Sequence, residues 1–185
     1  MVAFDPSRAC NGTHDAGGAI LYSNLIMSVV NMVTELPAEC PIDLNGIAEQ
    51  RKWLLSYARP NSIGAEFGVF RGHFAAVIAR ELKPRKLFLV DPWTKSGERF
   101  GWGPDPYTNY DMLTTAEALL DTRHRMAPYE HMCDITYVED TLENFAADIK
   151  KYGVHKLDFA YLDTSHSYDV TPMTTRLDKL ISWRE

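Results

Sequence analysis

Between Ile63 and Leu162 the chain alternates short, almost unbroken apolar runs with stretches whose apolar residues recur every three or four positions. This alternation constrains the fold more than any other feature. A run that is apolar at every position must be buried on both sides, whereas a three-and-four repeat buries one stripe of a helix. The runs Ile63 to Phe70, Leu87 to Val90 behind Lys86, Ile135 to Val138 and Leu157 to Leu162 predict four strands. Between them, Phe74, Val77, Ile78 and Leu82 share one helical face. Leu113, Ala116, Leu119 and Leu120 do so within Met112 to Arg123, and Leu142, Phe145, Ala146 and Ile149 do so behind a cap at Asp140 or Thr141. The order βαβαβαβ predicts an α/β fold, a parallel sheet with helices on both faces. Such sheets bind ligands beyond the carboxyl ends of their strands, where strand order reverses. Those ends are Gly68 to Gly72, Asp91 to Trp93, Glu139 to Thr141 and Asp163 to Tyr168.

The segment before the first strand has a different character. Asp5-Pro6, Asn11-Gly12 and Gly17-Gly18 mark an irregular arm. Tyr22, Leu25, Ile26, Val29, Val30 and Val33 then predict an amphipathic helix closed by Pro37 and Pro41. A second helix with Ile47, Leu54, Leu55 and Ala58 on one face runs from about Leu44 to Arg59-Pro60. The expected division is therefore an arm and helical cap over residues 1–60 and a ligand-binding α/β domain over 61–185. Within the latter, the 18 residues from Trp93 to Tyr110 carry Gly97, Gly101, Gly103, Pro104 and Pro106. They predict a long irregular loop, of the kind that is functional or mobile in a compact domain.

Composition narrows the partners. Hydrophobic residues at 45% and charged residues at 24% are those of a folded globular chain. The 19 Lys+Arg against 25 Asp+Glu leave a net charge of −6 with no basic cluster, which argues against nucleic acid. Polar Ser23, Asn24, Ser28 and Asn31 interrupt the most apolar early stretch, Ala19 to Val33, which excludes that stretch as a membrane span or signal peptide. The three cysteines, Cys10, Cys40 and Cys133, lack the spacing of a metal or disulfide framework. A reducing compartment, the cytoplasm, is expected.

At the end of the first strand stands Glu66-Phe67-Gly68-Val69-Phe70-Arg71-Gly72-His73. Gly68 and Gly72 allow a tight turn and close approach of backbone to a ligand, or they simply shape the turn. The GxGxxG dinucleotide fingerprint is absent, and Glu66 would repel a pyrophosphate. An acid there suits a cation, an α-ammonium or a sulfonium. Asp91 follows Gly68 by 23 positions, the distance at which an acid at the end of a second strand hydrogen-bonds a ribose diol.

Glu66-x-Gly68-x-x-x-Gly72, Leu87-Phe88-Leu89-Val90-Asp91-Pro92-Trp93 and Tyr137-Val138-Glu139-Asp140-Thr141 resemble the first three motifs of class I S-adenosylmethionine (SAM)-dependent methyltransferases. Asp163-Thr164-Ser165-His166-Ser167-Tyr168 resembles the DxxHxY signature of their macrocin O-methyltransferase-like branch. The resemblance covers about Ile63 to Leu180 and implies a Rossmann-like sheet of order 3-2-1-4 with further strands beyond the fourth. It implies that Glu66, Gly68 and Gly72 hold the methionine part of SAM and that Asp91 takes the ribose. Asp140 would face the adenine amino group or cap the next helix. Trp93 would lie against the adenine or close the edge of the core. Asp163 and His166 would serve catalysis, His166 as the base, and Asp163 would help bind Mg2+ in a site that the visible residues do not complete. The expected activity is methyl transfer from SAM to a small-molecule oxygen, with nitrogen second. The alternatives are a non-catalytic nucleoside-binding module or a different SAM-using enzyme on the same fold.

In an order of 3-2-1-4 the fourth strand has a bare side, although Phe159, Ala160, Tyr161 and Leu162 carry no charge or proline to guard it. Either the C-terminal strands of a longer chain are missing, or the N-terminal helices or a second subunit covers that edge. The last case makes a homo-oligomer.

Overall fold

The computed structural model describes residues 40–164. The expected helix near Ala19 to Val33, the arm before it, and His166 and Tyr168 lie outside those residues. Four parallel strands, β1 (Ile63–Phe67), β2 (Lys86–Asp91), β3 (Asp134–Glu139) and β4 (Phe159–Leu162), form one sheet in the order β3-β2-β1-β4. Four α-helices are described, α1 (Leu44–Gln50), α2 (His73–Leu82), α3 (Thr115–Met126) and α4 (Leu142–Ala147). The register sets Phe67 beside Val90 and Leu162, and Asp91 beside Glu139, so the carboxyl ends of all four strands share one rim. The parallel Rossmann-like arrangement and its strand order are those expected.

Alternation along β2 shows why the sheet needs helices on both sides. Leu87 and Leu89 are buried against Phe74, Val77 and Ile78 of α2 and Ala118 and Met126 of α3. Phe88 and Val90 are buried on the opposite face with Leu142 and Phe145 of α4 and with Ile149, Val154 and Leu157. β4 is only half-buried and, among the described residues, pairs with β1 alone.

Several boundaries differ from the expected ones for identifiable reasons. β1 stops at Phe67, because Gly68 and Phe70 take positive φ of 82° and 55° and turn the chain out of the sheet. The expected helix from Met112 instead starts at Thr115. Thr114 caps it, its Oγ1 accepting the Glu117 N–H at 3.1 Å while Glu117 Oε2 accepts the Thr114 N–H at 2.7 Å. Helical periodicity ran past that Thr-x-x-Glu signal. Helix α1 ends at Gln50 and the chain continues as a 3-10 turn, Lys52–Tyr57. Thr141, not Asp140, caps α4. The long loop is partly ordered by the 3-10 turns Trp93–Ser96 and Pro106–Thr108. Thr115 Oγ1 donates to the Gly97 carbonyl at 2.6 Å, and Arg99 donates to the carbonyls of Asp111 and Met112.

Phe145 joins the α4 face to the sheet, its ring 5.6 Å from Phe67, 5.2 Å from Phe88 and 5.3 Å from Tyr152. Truncation leaves a cavity between three rings. Phe145→Ala is expected to lower unfolding stability by about 3 to 5 kcal/mol, measured by urea denaturation. A loss below 1 kcal/mol would mean that this face is not packed as described.

Candidate functional site

Two chain turns meet at the rim of the sheet, and Asp91 fastens them together. Its Oδ2 accepts the N–H of Phe70 at 2.9 Å and its Oδ1 accepts the N–H of Trp93 at 3.0 Å. The Trp93 indole N–H donates back to the Phe70 carbonyl at 2.9 Å, and Thr122 of α3 donates to the same carbonyl at 3.1 Å. Arg71, one residue on, forms a buried ion pair with Asp121 at 2.7 Å, and Arg125 approaches the same oxygen at 3.3 Å. The turn after β1 is thus tied to β2 on one side and to α3 on the other. Gly68 is required where it stands, since a Cβ there would lie 2.3 Å from the Asp163 carbonyl oxygen. Gly72 precedes α2 at φ 76°, where a Cβ would come within 2.9 Å of Thr122 Cγ2.

Above this rim is a cavity of about 690 Å³. Helix α1 supplies one wall with Leu44, Ile47 and Ala48, followed by Arg51, while Phe100, Trp102 and Tyr107 of the long loop supply another. The cavity brings together Glu66, Gly68, Asp91, Trp93, Asp140 and Asp163 of the residues expected from sequence. Gly72 is not among its lining residues and packs on α3 instead. His166 lies outside the described residues. Sequence reasoning missed Arg51, His73 and the aromatic trio Phe70, Phe100 and Trp102, whose ring centroids lie 4.9 to 5.3 Å apart. The aromatics of the loop rich in glycine and proline were the available signal for Phe100 and Trp102, and Phe70 stands in the glycine turn after β1.

The carboxylates differ in environment. Glu66 is 2% exposed and its Oε2 has no hydrogen-bond partner among the described residues. Burial, then the Asp163 and Asp91 charges, push its carboxyl well above the ordinary 4.5, against a smaller opposing pull from Arg51. Asp91 is also raised by burial, with backbone N–H groups opposing. Asp140 is lowered to about 2 by the side-chain amide of Asn144, the N–H of Thr141 and the Lys95 ammonium at 3.2 Å. Asp163 is ion-paired with Arg51. The described residues hold no group of three or more His, Cys, Asp or Glu placed to bind a metal, so the Mg2+ expected at Asp163 has no fitting donor set there. Trp93 is fully buried and belongs to the core as well as to the cavity lining. His73, at the start of α2, is pushed down to about 4 by burial and by Arg125 and Arg71, so its imidazole is neutral near pH 7.

A Rossmann-like α/β domain with an acid-lined cavity at its strand ends is the class these features define. No protein-family model matches the chain, and no curated protein matches it. Solved structures do. The O-methyltransferase TomG from Streptomyces achromogenes, involved in tomaymycin synthesis and solved with SAM, is 17% identical over 92% of this chain and 62% of its own, with TM-score 0.44. A cyclopropane-fatty-acyl-phospholipid synthase-like protein from Lactobacillus casei is 14% identical over 83% of this chain and 54% of its own, with TM-score 0.50. An O-methyltransferase from Bacillus cereus, solved with SAH, is 12% identical over 89% and 62%, with TM-score 0.46. The likeness is one of fold. The chain spans between 54% and 62% of the length of these structures.

Glu66 sets the sign of a pH dependence. An acid whose folded pKa is raised keeps its proton after the unfolded chain has released it, so stability falls as pH rises from 4.5 towards the raised value. Glu66→Gln removes that loss. The variant is expected to melt higher than the parent protein, with the gap wider at pH 8 than at pH 5. Thermal melts at the two pH values check this, and a constant or reversed gap would contradict the assignment.

Proposed function

We propose that the domain binds SAM at its strand ends and transfers the methyl group to a small-molecule oxygen acceptor. The observation that carries this is the pairing of two buried acids, Glu66 and Asp91, on one cavity at the ends of adjacent strands. SAM brings a sulfonium and an α-ammonium, both cations, together with a ribose diol. Glu66 has an unpartnered oxygen ready for a cation, and an approaching positive charge draws its proton off. Asp91 accepts backbone N–H groups on both oxygens and keeps further lone pairs for ribose hydroxyls. Asp140, at the end of β3, is an anionic acceptor suited to an adenine amino group. Macrocin O-methyltransferase-like chemistry enters from the Asp163-to-Tyr168 sequence.

The reaction is an in-line displacement. The acceptor oxygen forms a bond to the methyl carbon, the carbon–sulfur bond breaks, its electron pair returns to sulfur, and the acceptor proton leaves. Holding both reactants in line within one cavity supplies much of the acceleration. In this proposal His166 takes the proton, and Asp163, three residues earlier, supports it. Methyl loss turns the sulfonium into a neutral thioether, S-adenosylhomocysteine (SAH), which an acid-lined cavity attracts less strongly. That difference favours product release.

Calorimetry with SAM, SAH and NAD tests the cofactor, with binding of the first two and none of NAD expected. Asp91→Asn is expected to weaken SAM binding by about 1 to 3 kcal/mol while the protein still melts cooperatively. Unchanged affinity would remove Asp91 from the ribose. Turnover of a library of hydroxylated small molecules, followed as SAH release, separates an enzyme from a binding module. With any acceptor found, His166→Ala is expected to lower kcat by about 10²- to 10⁴-fold and to leave SAM affinity unchanged. A kcat within threefold of the parent would exclude His166 as the base.

A further inference from the structure

The cavity is one-sided in charge. Glu66, Asp91, Asp140, Glu143 and Asp163 line it, and Arg51 is the one guanidinium or ammonium among its described lining residues. His73 also lines it but is neutral near pH 7, and Lys95, paired with Asp140, stands outside the lining. SAM is not simply a cation, because its amino-acid end carries an α-carboxylate beside the α-ammonium. A carboxylate brought beside Asp91, Asp140, Glu143 and Asp163 without a cation would be repelled and left desolvated. Arg51 sits at the junction of α1 and the following 3-10 turn, and its side chain reaches Asp163 at the end of β4, close to Glu66, whose charge it also senses. Both partners of that ion pair are about one-third exposed, 36% and 31%, so the pair is partly solvated and can exchange partners at little loss. A guanidinium has five N–H donors in a planar fork that matches a carboxylate, and Asp163, with Tyr161 beside it, engages only part of them.

We infer that Arg51 is the carboxylate-recognising residue of the cavity, exchanging Asp163 for the α-carboxylate of an amino-acid-bearing nucleoside ligand. The exchange has a second consequence, since it frees the Asp163 carboxylate in the same step that seats the ligand. Arg51 thereby couples occupancy of the cavity to release of the Asp163 carboxylate. This rests on the SAM reading of the site and gives it a specificity that Glu66 and Asp91 do not supply, discrimination for a ligand with an intact amino-acid end.

Two ligands that differ only in that carboxylate test the inference, SAM and decarboxylated SAM, titrated by calorimetry into the parent protein, Arg51→Met and Arg51→Lys. Arg51→Met is expected to lower SAM affinity by about 10- to 100-fold, the loss of a charge-assisted pair of hydrogen bonds, and to leave decarboxylated SAM within twofold. Arg51→Lys should fall between, keeping the charge without the fork. Equal losses for both ligands would mean that Arg51 only braces the wall and would overturn the inference, as would an unchanged SAM affinity. The parent protein separates this from failure of the underlying reading. If it binds SAM yet the variants do not discriminate, only the role of Arg51 falls. If it binds neither SAM, its decarboxylated form nor 5′-methylthioadenosine, the SAM reading falls and the Arg51 inference with it.

Discussion

The carboxylate of Asp91 holds the site in place. Its two oxygens accept N–H groups from turns that follow different strands, Phe70 after β1 and Trp93 after β2. The turn after β1 has no helix or strand to fix it and the one after β2 only a single 3-10 turn, and Phe70 and Trp93 are both held at positive φ, 55° and 35°. Such backbone is sustained only where surroundings over-determine it. Here the constraint comes from the Asp91 pair, the return hydrogen bond from the Trp93 indole and the Arg71–Asp121 ion pair behind them. The cavity rim, the direction of α2 and the start of the long loop all follow from that junction.

The same junction concentrates negative charge without balancing it. A buried carboxyl with an unpartnered oxygen weakens a fold, and Glu66 answers by holding its proton more tightly. Such an arrangement makes sense where a ligand supplies the missing positive charge, so that binding stabilises what folding alone leaves strained. The contrast with Arg71–Asp121 is instructive. That pair is equally buried but internally balanced, and it stands behind the turn, away from the cavity. The balanced pair braces the turn, and the unpartnered Glu66 oxygen lies at the cavity.

The sheet was legible in the sequence because its strands are apolar at nearly every position and its helices carry clear stripes. Strand order followed from that alternation and the resemblance together. Glu66 and Asp91 were legible as acids at strand ends, where topology alone dictates that they meet. What periodicity could not resolve was local. The start of α3 depends on a capping box, and the end of β1 on two residues at positive φ. Trp93 reads from sequence as a stacking surface or a core residue, and its complete burial beside the cavity was not visible there. Arg51 was invisible for a different reason. It belongs to a helical segment 112 residues before the acid it touches, and nothing in its neighbours announces a contact across the fold. The ion pair that Asp163 makes with Arg51 was hidden for the same reason, since no sequence motif includes that guanidinium.

The most direct test is a crystal structure of the protein with SAH bound. The account predicts the ribose hydroxyls on Asp91, the adenine towards Asp140, and the amino-acid end between Glu66 and Arg51, with the Arg51–Asp163 pair opened. A ligand seated away from the strand ends, or with its ribose out of reach of Asp91, would contradict it.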